Sequence, residues 1–186
     1  MRSINTRAFD HAFQLVLKGQ QATRHRGAKA RLNALFNDLK RADPRHDPDE
    51  TVDLIWSIWC DHPERQATDR LFAAAEAMAS GARDLARPML DALVEAHPDW
   101  AEAWNKRATL AFFEKRDGDS INDIARTLEL EPRHFGAILG FAQICLRHRR
   151  LREAKAAFEI ALGMNPHMDE LRPLIQDLST NRSSLH

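Results

Sequence analysis

The phrases "LVEAHP", "LELEP" and "ALGMNP" close at Pro98, Pro132 and Pro166, and the spacing of these prolines decides the fold. The interval from Pro98 to Pro132 equals the interval from Pro132 to Pro166, at 34 positions, so the chain repeats itself at a fixed period. A period between about 20 and 50 residues is typical of repeat proteins, in which each copy is one small structural unit. Leu and Ala dominate the chain and Tyr is absent, a composition that favours helices over strands.

Each copy also repeats the same order of apolar side chains. Ala108 and Ala142 follow a proline at the same interval, and the last copy adds Ala154, Phe158 and Ala161 before its closing proline. This spacing and this order of large and small residues resemble the tetratricopeptide repeat (TPR) family. The resemblance implies an all-α, right-handed solenoid of stacked antiparallel helix hairpins that displays a surface to a partner. Such hairpins must stack because none can bury its apolar face alone.

The second copy departs from the family pattern at three positions. Arg107 stands where the family has Leu, and Ser120 and Thr127 stand where it has Ala. A buried Arg needs a carboxylate or several carbonyl groups to offset its lost hydration, and Asp123 on the neighbouring helix is the expected partner. We therefore predict a structural pair of Arg107 and Asp123; a ligand-binding Arg107 is the alternative.

The repeat period divides the chain into segments. Before the repeats, the prolines at 44, 48 and 63 bound a hairpin that we interpret as a degenerate first repeat. Its residues Trp56 and Trp59 are expected to pack in the core; an exposed aromatic hot spot is the alternative. The predicted organisation is a basic N-terminal helical arm over 1–27, the degenerate hairpin over 28–63, TPR-like repeats over 64–166 (64–98, 99–132 and 133–166), a capping helix over 167–179 and a flexible tail over 180–186.

The chain carries no net charge, but its charges are unevenly distributed. Residues 1–45 hold ten Lys and Arg against three Asp and Glu, whereas residues 46–104 hold four against thirteen. We expect the basic segment to pack near the acidic one, within the chain or between copies; a basic arm for nucleic acid or anionic lipid is the alternative. Because a dedicated nucleic-acid binder is usually basic overall, no nucleic-acid partner is expected.

The N-terminal segment bears on the location of the protein. Residues 1–27 are basic and amphipathic, with Arg2, Arg7 and Lys18 against the single acid Asp10. They lack the continuous apolar core of a secretory signal, and the chain has no run of about 18 apolar residues that would cross a membrane. We predict a cytoplasmic protein; import into the mitochondrion is the alternative if residues 1–27 act as a presequence.

The TPR resemblance places a binding groove on the first helix of each repeat. The expected lining is apolar with a polar centre, and a surface of this kind suits a helix or an extended apolar peptide. The predicted groove residues are Leu71, Ala75, Met78, Asn105, Thr109, Phe112, Leu139, Gln143 and Leu146. Occupation of the groove by the end helices of a short array is the alternative.

The predicted function is a non-catalytic protein–protein interaction module, an adaptor or scaffold that binds a peptide or helix. The alternative is a structural or assembly subunit of a larger complex, anchored through the basic N-terminal arm. The partner is expected to be another protein or peptide, and assembly of several copies of the chain into a homo-oligomer is left open.

No motif points to catalysis, to a cofactor or to a metal. The chain has no phosphate-binding loop, dinucleotide fingerprint or catalytic triad motif. Cys145 lies on an apolar stripe, where a structural thiol is expected rather than a nucleophile. The phrase "CDHPE" at 60–64 lacks the ligand spacing of a metal site. The basic run "RHRRLR" at 147–152 is interpreted as a solvated turn; a patch for an acidic partner is the alternative.

Overall fold

The computed structural model describes residues 4–19, 30–41 and 47–180, and within them it contains helices and no strands. The linker expected after Gly19 and the tail expected after Thr180 lie outside the described residues. The described helices are α1 (Thr6–Gly19), α2 (Ala30–Leu39), α3 (Pro48–Cys60), α4 (Arg65–Ala79), α5 (Arg83–Ala96), α6 (Ala101–Phe113), α7 (Asp117–Leu130), α8 (Phe135–Arg147), α9 (Leu151–Met164) and α10 (Leu171–Thr180).

Helices α4 to α9 form three antiparallel hairpins that stack side by side. Helix α4 packs on α5, α6 on α7 and α8 on α9, while neighbouring hairpins meet through α5 with α6 and α7 with α8. Helices α5, α7 and α9 begin at Arg83, Asp117 and Leu151, so their starts are separated by the same period as the prolines. The predicted all-α solenoid of helix hairpins is therefore confirmed.

The repeated prolines end the second helix of each hairpin. The cap residues are His97, Glu131 and Asn165, and each donates its backbone N–H to the carbonyl four residues earlier. A proline follows each cap directly. Its ring prevents the helix from continuing, so the period of the sequence becomes a period of helix ends.

The turn inside each hairpin repeats in the same way. Gly81, Lys115 and Arg149 are spaced by the repeat period and are the described residues with positive φ, at 81°, 59° and 56°. Glycine adopts this left-handed conformation freely, whereas in other residues the conformation is unfavourable by roughly 1–2 kcal/mol. The last two hairpins therefore hold Lys115 and Arg149 in a backbone conformation that glycine would adopt more easily.

Small side chains lie where the two helices of a hairpin approach each other. The hydroxyl of Ser120 donates to the carbonyl of Ala108 at 2.8 Å, and that of Thr127 donates to the carbonyl of Asp123 at 2.9 Å. Both hydroxyl groups are buried and hydrogen-bonded. The two departures from the alanine of the family pattern therefore leave no unpaired polar group in the core.

The first hairpin of the stack has a polar outer face. Ala103 and Leu110 on α6 are fully buried where α6 meets the hairpin of α4 and α5. The residues one period earlier, on α4, are Asp69 and Glu76, and both are exposed. Charged side chains at these positions could not receive another hairpin without losing their hydration. The hairpin of α4 and α5 is therefore the N-terminal end of the stack.

The hairpin of α2 and α3 precedes this end in sequence, but it does not extend the stack as the expected first repeat. Helix α3 instead crosses the N-terminal ends of α6 and α8. Trp100 donates its indole N–H to the carbonyl of Trp59 at 2.8 Å, and the Trp59 ring stacks on His134 with centroids 4.1 Å apart. Asp69 and Glu76 on α4 are charged, whereas the rings of Trp56 and Trp59 pack on the apolar ring of Phe135.

Helix α1, the described part of the predicted arm, packs against α7 and α9. Phe9, Ala12 and Val16 are buried there. The rings of Phe9 and Phe13 lie 5.0 and 5.9 Å from the ring of Phe141, between centroids. The apolar face of α1 is therefore part of the main core.

Helix α10 covers the other end of the stack by packing on α9. Leu171 and Leu178 are buried in the main core, together with Met168 just before the helix. The apolar face of α9 is thereby removed from water, as the last unit of a solenoid requires.

Candidate functional site

The first helices α6 and α8 lie side by side and share an open face. Residues one period apart in sequence are equivalent on it, so Asn105 corresponds to Leu139 and Thr109 to Gln143. A pocket of about 240 Å³ opens between the two helices. Five of the predicted groove residues line it, namely Asn105, Thr109, Phe112, Leu139 and Gln143.

Most polar groups of this pocket are already hydrogen-bonded within the protein. The amide nitrogen of Asn105 donates to Glu102 at 3.0 Å, and the hydroxyl of Thr109 donates to the carbonyl of Asn105 at 2.9 Å. The hydroxyl of Ser120 donates to a carbonyl of α6. Gln143 is exposed and makes no hydrogen bond to the described protein through its side chain. A ligand therefore meets an apolar wall and the amide of Gln143.

The other predicted groove residues lie outside this pocket. Leu71 does not line a surface as expected, because it is 1% exposed and packs in the core of the hairpin of α4 and α5. Ala75 and Met78 are half-buried on α4, and Leu146 is half-buried near the end of α8. The structure thus brings together the predicted residues of α6 and α8, but not those of α4.

Two exposed phenylalanines that the sequence prediction omitted lie on the first helices α4 and α6. Phe113, at the end of α6, lines the pocket and is 48% exposed. Phe72 on α4 is 56% exposed and lies one period before Lys106 and two periods before Gly140, which also lines the pocket. Exposed apolar patches mark interaction surfaces in folded proteins. The repeat period, applied to every position of the first helices, would have found Phe72.

Helix α3 closes the end of the pocket at the start of α8. Gly136 lines the pocket, and a Cβ atom added to it would come within 2.6 Å of Cη2 of Trp56. Lys106 lies over the same indole, with its Nζ 5.4 Å from the ring centroid. Trp56 therefore bounds the pocket at the start of α8.

A buried polar cluster lies where α3 meets α6 and α8. The carboxylate of Glu102 and the ring of His134 are both fully buried, with 2.9 Å between Oε2 and Nε2. Because Nδ1 of His134 accepts the N–H of Ala137, Nε2 carries the proton and donates it to Glu102. Lys106 completes the cluster, with its Nζ 2.8 Å from Glu102.

The cluster keeps Glu102 ionised. Burial opposes the charged carboxylate, but the hydrogen bond from His134 and the ammonium group of Lys106 outweigh it, so the pKa of Glu102 lies below its ordinary value. Burial likewise opposes the charge of Lys106, yet Glu102 raises the pKa of Lys106. A histidine bonded to a carboxylate can serve as a general base, but His134 is buried and both its ring nitrogens are occupied. The cluster therefore joins α6 to the start of α8, and the ring of Trp59 on α3 stacks on its histidine.

The two cysteines are not activated as nucleophiles. Burial, together with the charge of Glu102, raises the pKa of Cys60 to about 11, and burial raises the pKa of Cys145 to about 12. A reactive thiolate needs the opposite shift. In the part of the chain that the structure describes, no group of three or more His, Cys, Asp or Glu side chains is placed to hold a metal ion.

Arg107 and Asp123 meet across the hairpin of α6 and α7. The Nε and Nη2 atoms of Arg107 each lie 2.8 Å from a carboxylate oxygen of Asp123, and Nη1 donates to Asp91 of α5 at 3.1 Å. The guanidinium group also lies over the ring of Trp104. The hydrogen bonds to Asp123 raise the pKa of Arg107. Arg107 thus joins α5, α6 and α7, and it lies outside the pocket.

The stacked hairpins, their constant period and the open face of their first helices define a helical-repeat protein. Comparison with known proteins then identifies the family. Over 162 residues the chain is 32% identical to a TPR repeat-containing protein of Rhizobium etli, and the alignment covers 83% of the chain and 78% of that relative. No protein-family model matches the chain. The chain belongs to the tetratricopeptide repeat family, whose members are typically non-catalytic modules for protein–protein interaction.

Proposed function

We propose that the protein is an adaptor or scaffold that binds a peptide or helix of a partner in the groove between α6 and α8. The observation that carries the proposal is the pocket of about 240 Å³, which is lined by Phe112, Phe113 and Leu139 and closed at one end by α3. Removal of apolar area from water is favourable by about 25 cal/mol for each Å², before the entropic cost of association. An apolar side chain of a partner is therefore the occupant that gains most from this pocket.

The titratable groups support a binding role without catalysis. Glu102 and His134 are bonded to each other out of reach of solvent, and burial raises the pKa of both thiols. These groups are therefore not available to a substrate in the groove. The proposed partner is another polypeptide, and no nucleic acid, cofactor or metal enters the proposal.

We further propose that residues 1–27 remain part of the working protein, in the cytoplasm. Phe9, Ala12 and Val16 of α1 are buried against α7 and α9, so cleavage of a presequence would remove a helix from the core. The same burial leaves α1 without a free apolar face with which to anchor the protein elsewhere. None of the described helices has the length and apolar character to cross a membrane.

A photo-crosslinking experiment tests the groove. Replacement of Phe113, which lines the pocket, by benzoylphenylalanine places a photoreactive benzophenone group at the site. The matched control carries the same group at Gln176, which is exposed on α10. In the native host we expect a covalent adduct with another polypeptide from position 113 only, and its loss when Leu139→Arg is added. No adduct at 113, or equal adducts at both positions, would contradict the proposal.

A further inference from the structure

The second helix of the first stacked hairpin, α5, exposes a row of apolar side chains. Leu85 is 61% exposed and Met89 is 39% exposed, and Pro88, Ala92 and Ala96 are exposed with them. These five residues, which we name the α5 stripe, are related by helical spacing and therefore share one face of the helix. The core of the hairpin is built from other positions of α5. Packing within the hairpin therefore does not explain the α5 stripe.

On α7, the face that is equivalent to the α5 stripe is directed at the preceding hairpin. One period after Ala92, α7 carries Arg126, whose guanidinium group donates to the carbonyl of Pro98 at 3.2 Å. Because the hairpin of α4 and α5 is the N-terminal end of the stack, no hairpin precedes α5. The α5 stripe is therefore an open apolar surface at this end.

On α9, the equivalent face is covered by a helix of the same chain. Two periods after Ala92 and Ala96 lie Ile160 and Met164, and both are buried in the main core. Helix α1 packs on α9, and a Cβ atom added to Gly19, its last residue, would come within 2.9 Å of Cε of Met164. The repeat therefore already receives a single amphipathic helix on this face, and α1 shows the kind of element that fits it.

The α5 stripe lies in the acidic part of the chain. Residues 46–104 hold four Lys and Arg against thirteen Asp and Glu. The basic helix α1 packs on α7 and α9, outside this segment, so it does not neutralise these carboxylates. Two of the four cations, Arg65 and Arg70, lie on α4.

The two cations of α5 are engaged by α6 and by the residue that follows it. Arg83 donates to a carbonyl of α6, and Arg87 pairs with Glu114. Asp84 and Glu95 are exposed on α5, and neither pairs with a cation among the described residues. The charges of α5 that remain free for a partner are therefore negative, and they favour a partner with positive charge.

We propose that the α5 stripe is a second interaction surface, which docks a basic amphipathic helix of a partner protein. The apolar face of that helix packs on Leu85 and Met89, and its Lys and Arg side chains contact Asp84 and Glu95. The residues of the α5 stripe are not among those that line the pocket between α6 and α8. The inference therefore does not rest on binding in the groove.

A display library of helical peptides tests the inference. The peptides have the length of α1, a fixed leucine face, and either Lys or Glu at each flanking position. We expect selection on the full-length protein to enrich peptides with Lys at the flanks. Their affinity, measured by fluorescence anisotropy, should fall about tenfold in the double variant Leu85→Gln and Met89→Gln, and about threefold to fivefold in Glu95→Lys.

Two control variants leave the α5 stripe unchanged. Glu170→Lys makes the same change of charge at an exposed position just before α10, and Leu139→Arg alters the groove. Both should keep the affinity of the natural protein. Leu85 and Met89 are exposed, so their substitution should preserve the fold, and circular dichroism measures whether it does.

The other outcomes would each overturn the inference. Peptides that lose binding in Leu139→Arg but keep it in the double variant occupy the groove and leave the α5 stripe without a ligand. Enrichment of Glu at the flanks, or no peptide that depends on Leu85 and Met89, would contradict a basic helix. If analytical ultracentrifugation showed a dimer that the double variant abolishes, the α5 stripe would serve a second copy of the chain and the inference would be wrong.

Discussion

Replacement of Gly136 by Ala tests whether α3 closes the groove. The added Cβ would lie 2.6 Å from Cη2 and 3.2 Å from Cζ2 of Trp56. The indole is held on other sides by Trp59, Phe135 and Lys106, so the ring cannot swing away and α3 must shift. Overpacking of this kind costs about 1–3 kcal/mol.

Gly140→Ala is the matched control on the same helix and in the same pocket. Its added Cβ would meet only Cδ1 of Ile124, at 3.6 Å, which is an ordinary contact. Alanine is also favoured over glycine inside a helix by about 0.5–1 kcal/mol.

Urea unfolding, followed by tryptophan fluorescence and far-ultraviolet circular dichroism, measures both variants. We expect Gly136→Ala to lower the free energy of unfolding by about 1–2 kcal/mol and to change the tryptophan emission, because the new contact outweighs the gain in helix propensity. Gly140→Ala should be at least as stable as the natural protein. Equal stability of the two variants, with unchanged emission, would refute the placement of Trp56 on Gly136.

Three further predictions concern other features of the fold. Lys115→Gly and Arg149→Gly should each raise the free energy of unfolding by about 1 kcal/mol, because both residues have positive φ; the corresponding alanine variants keep the strain and should show no gain in urea unfolding. Arg107→Leu should lower the free energy of unfolding by about 2 kcal/mol. This loss is smaller than that expected for a fully buried pair, because the Arg107 side chain is 22% exposed. In a double-mutant cycle with Asp123→Leu, additive effects would disprove coupling between the two residues. The pKa of Glu102 is lowered by folding. The ionised carboxylate therefore contributes to the free energy of unfolding at pH values above its unfolded pKa of about 4.3, and this contribution is lost as the pH falls through the folded pKa. The Glu102→Gln variant should therefore be less stable than the natural protein at neutral pH, and its free energy of unfolding should fall less steeply below about pH 4. Parallel pH dependences of the two proteins in urea unfolding would count against an ionised Glu102.

The helix ends of the stack were predictable because the residues that set them act locally. The prolines after His97, Glu131 and Asn165 end three helices whatever packs around them, because a proline ring cannot continue a helix. The contact between Arg107 and Asp123 follows from an equally simple rule, because a charge at a core position needs an opposite charge.

The place of α3 was not predictable from its own residues. Trp56 and Trp59 show that α3 has an apolar face, but not which surface receives that face. The deciding residues lie elsewhere in the chain: Asp69 and Glu76 make the end of the stack polar, and Gly136 leaves room for an indole ring.

The groove prediction failed at Leu71 because its position borders the core. Asn105, the equivalent residue one repeat later, is only 5% exposed, although it lines the pocket and bonds to Glu102. Leu71 packs in the core of the hairpin of α4 and α5, whereas Leu139, at the same position two periods later, is half-buried and lines the pocket. Periodicity identifies equivalent positions, but it does not state how much of each side chain reaches solvent.

The groove between α6 and α8 is proposed to bind another polypeptide. Nuclear magnetic resonance of the full-length protein, titrated with a peptide selected on it from a random display library, measures where that polypeptide binds. We expect the largest chemical-shift changes at Thr109, Leu139 and the side-chain amide of Gln143. Largest changes at Leu85 and Met89, the exposed apolar residues of α5, would contradict it.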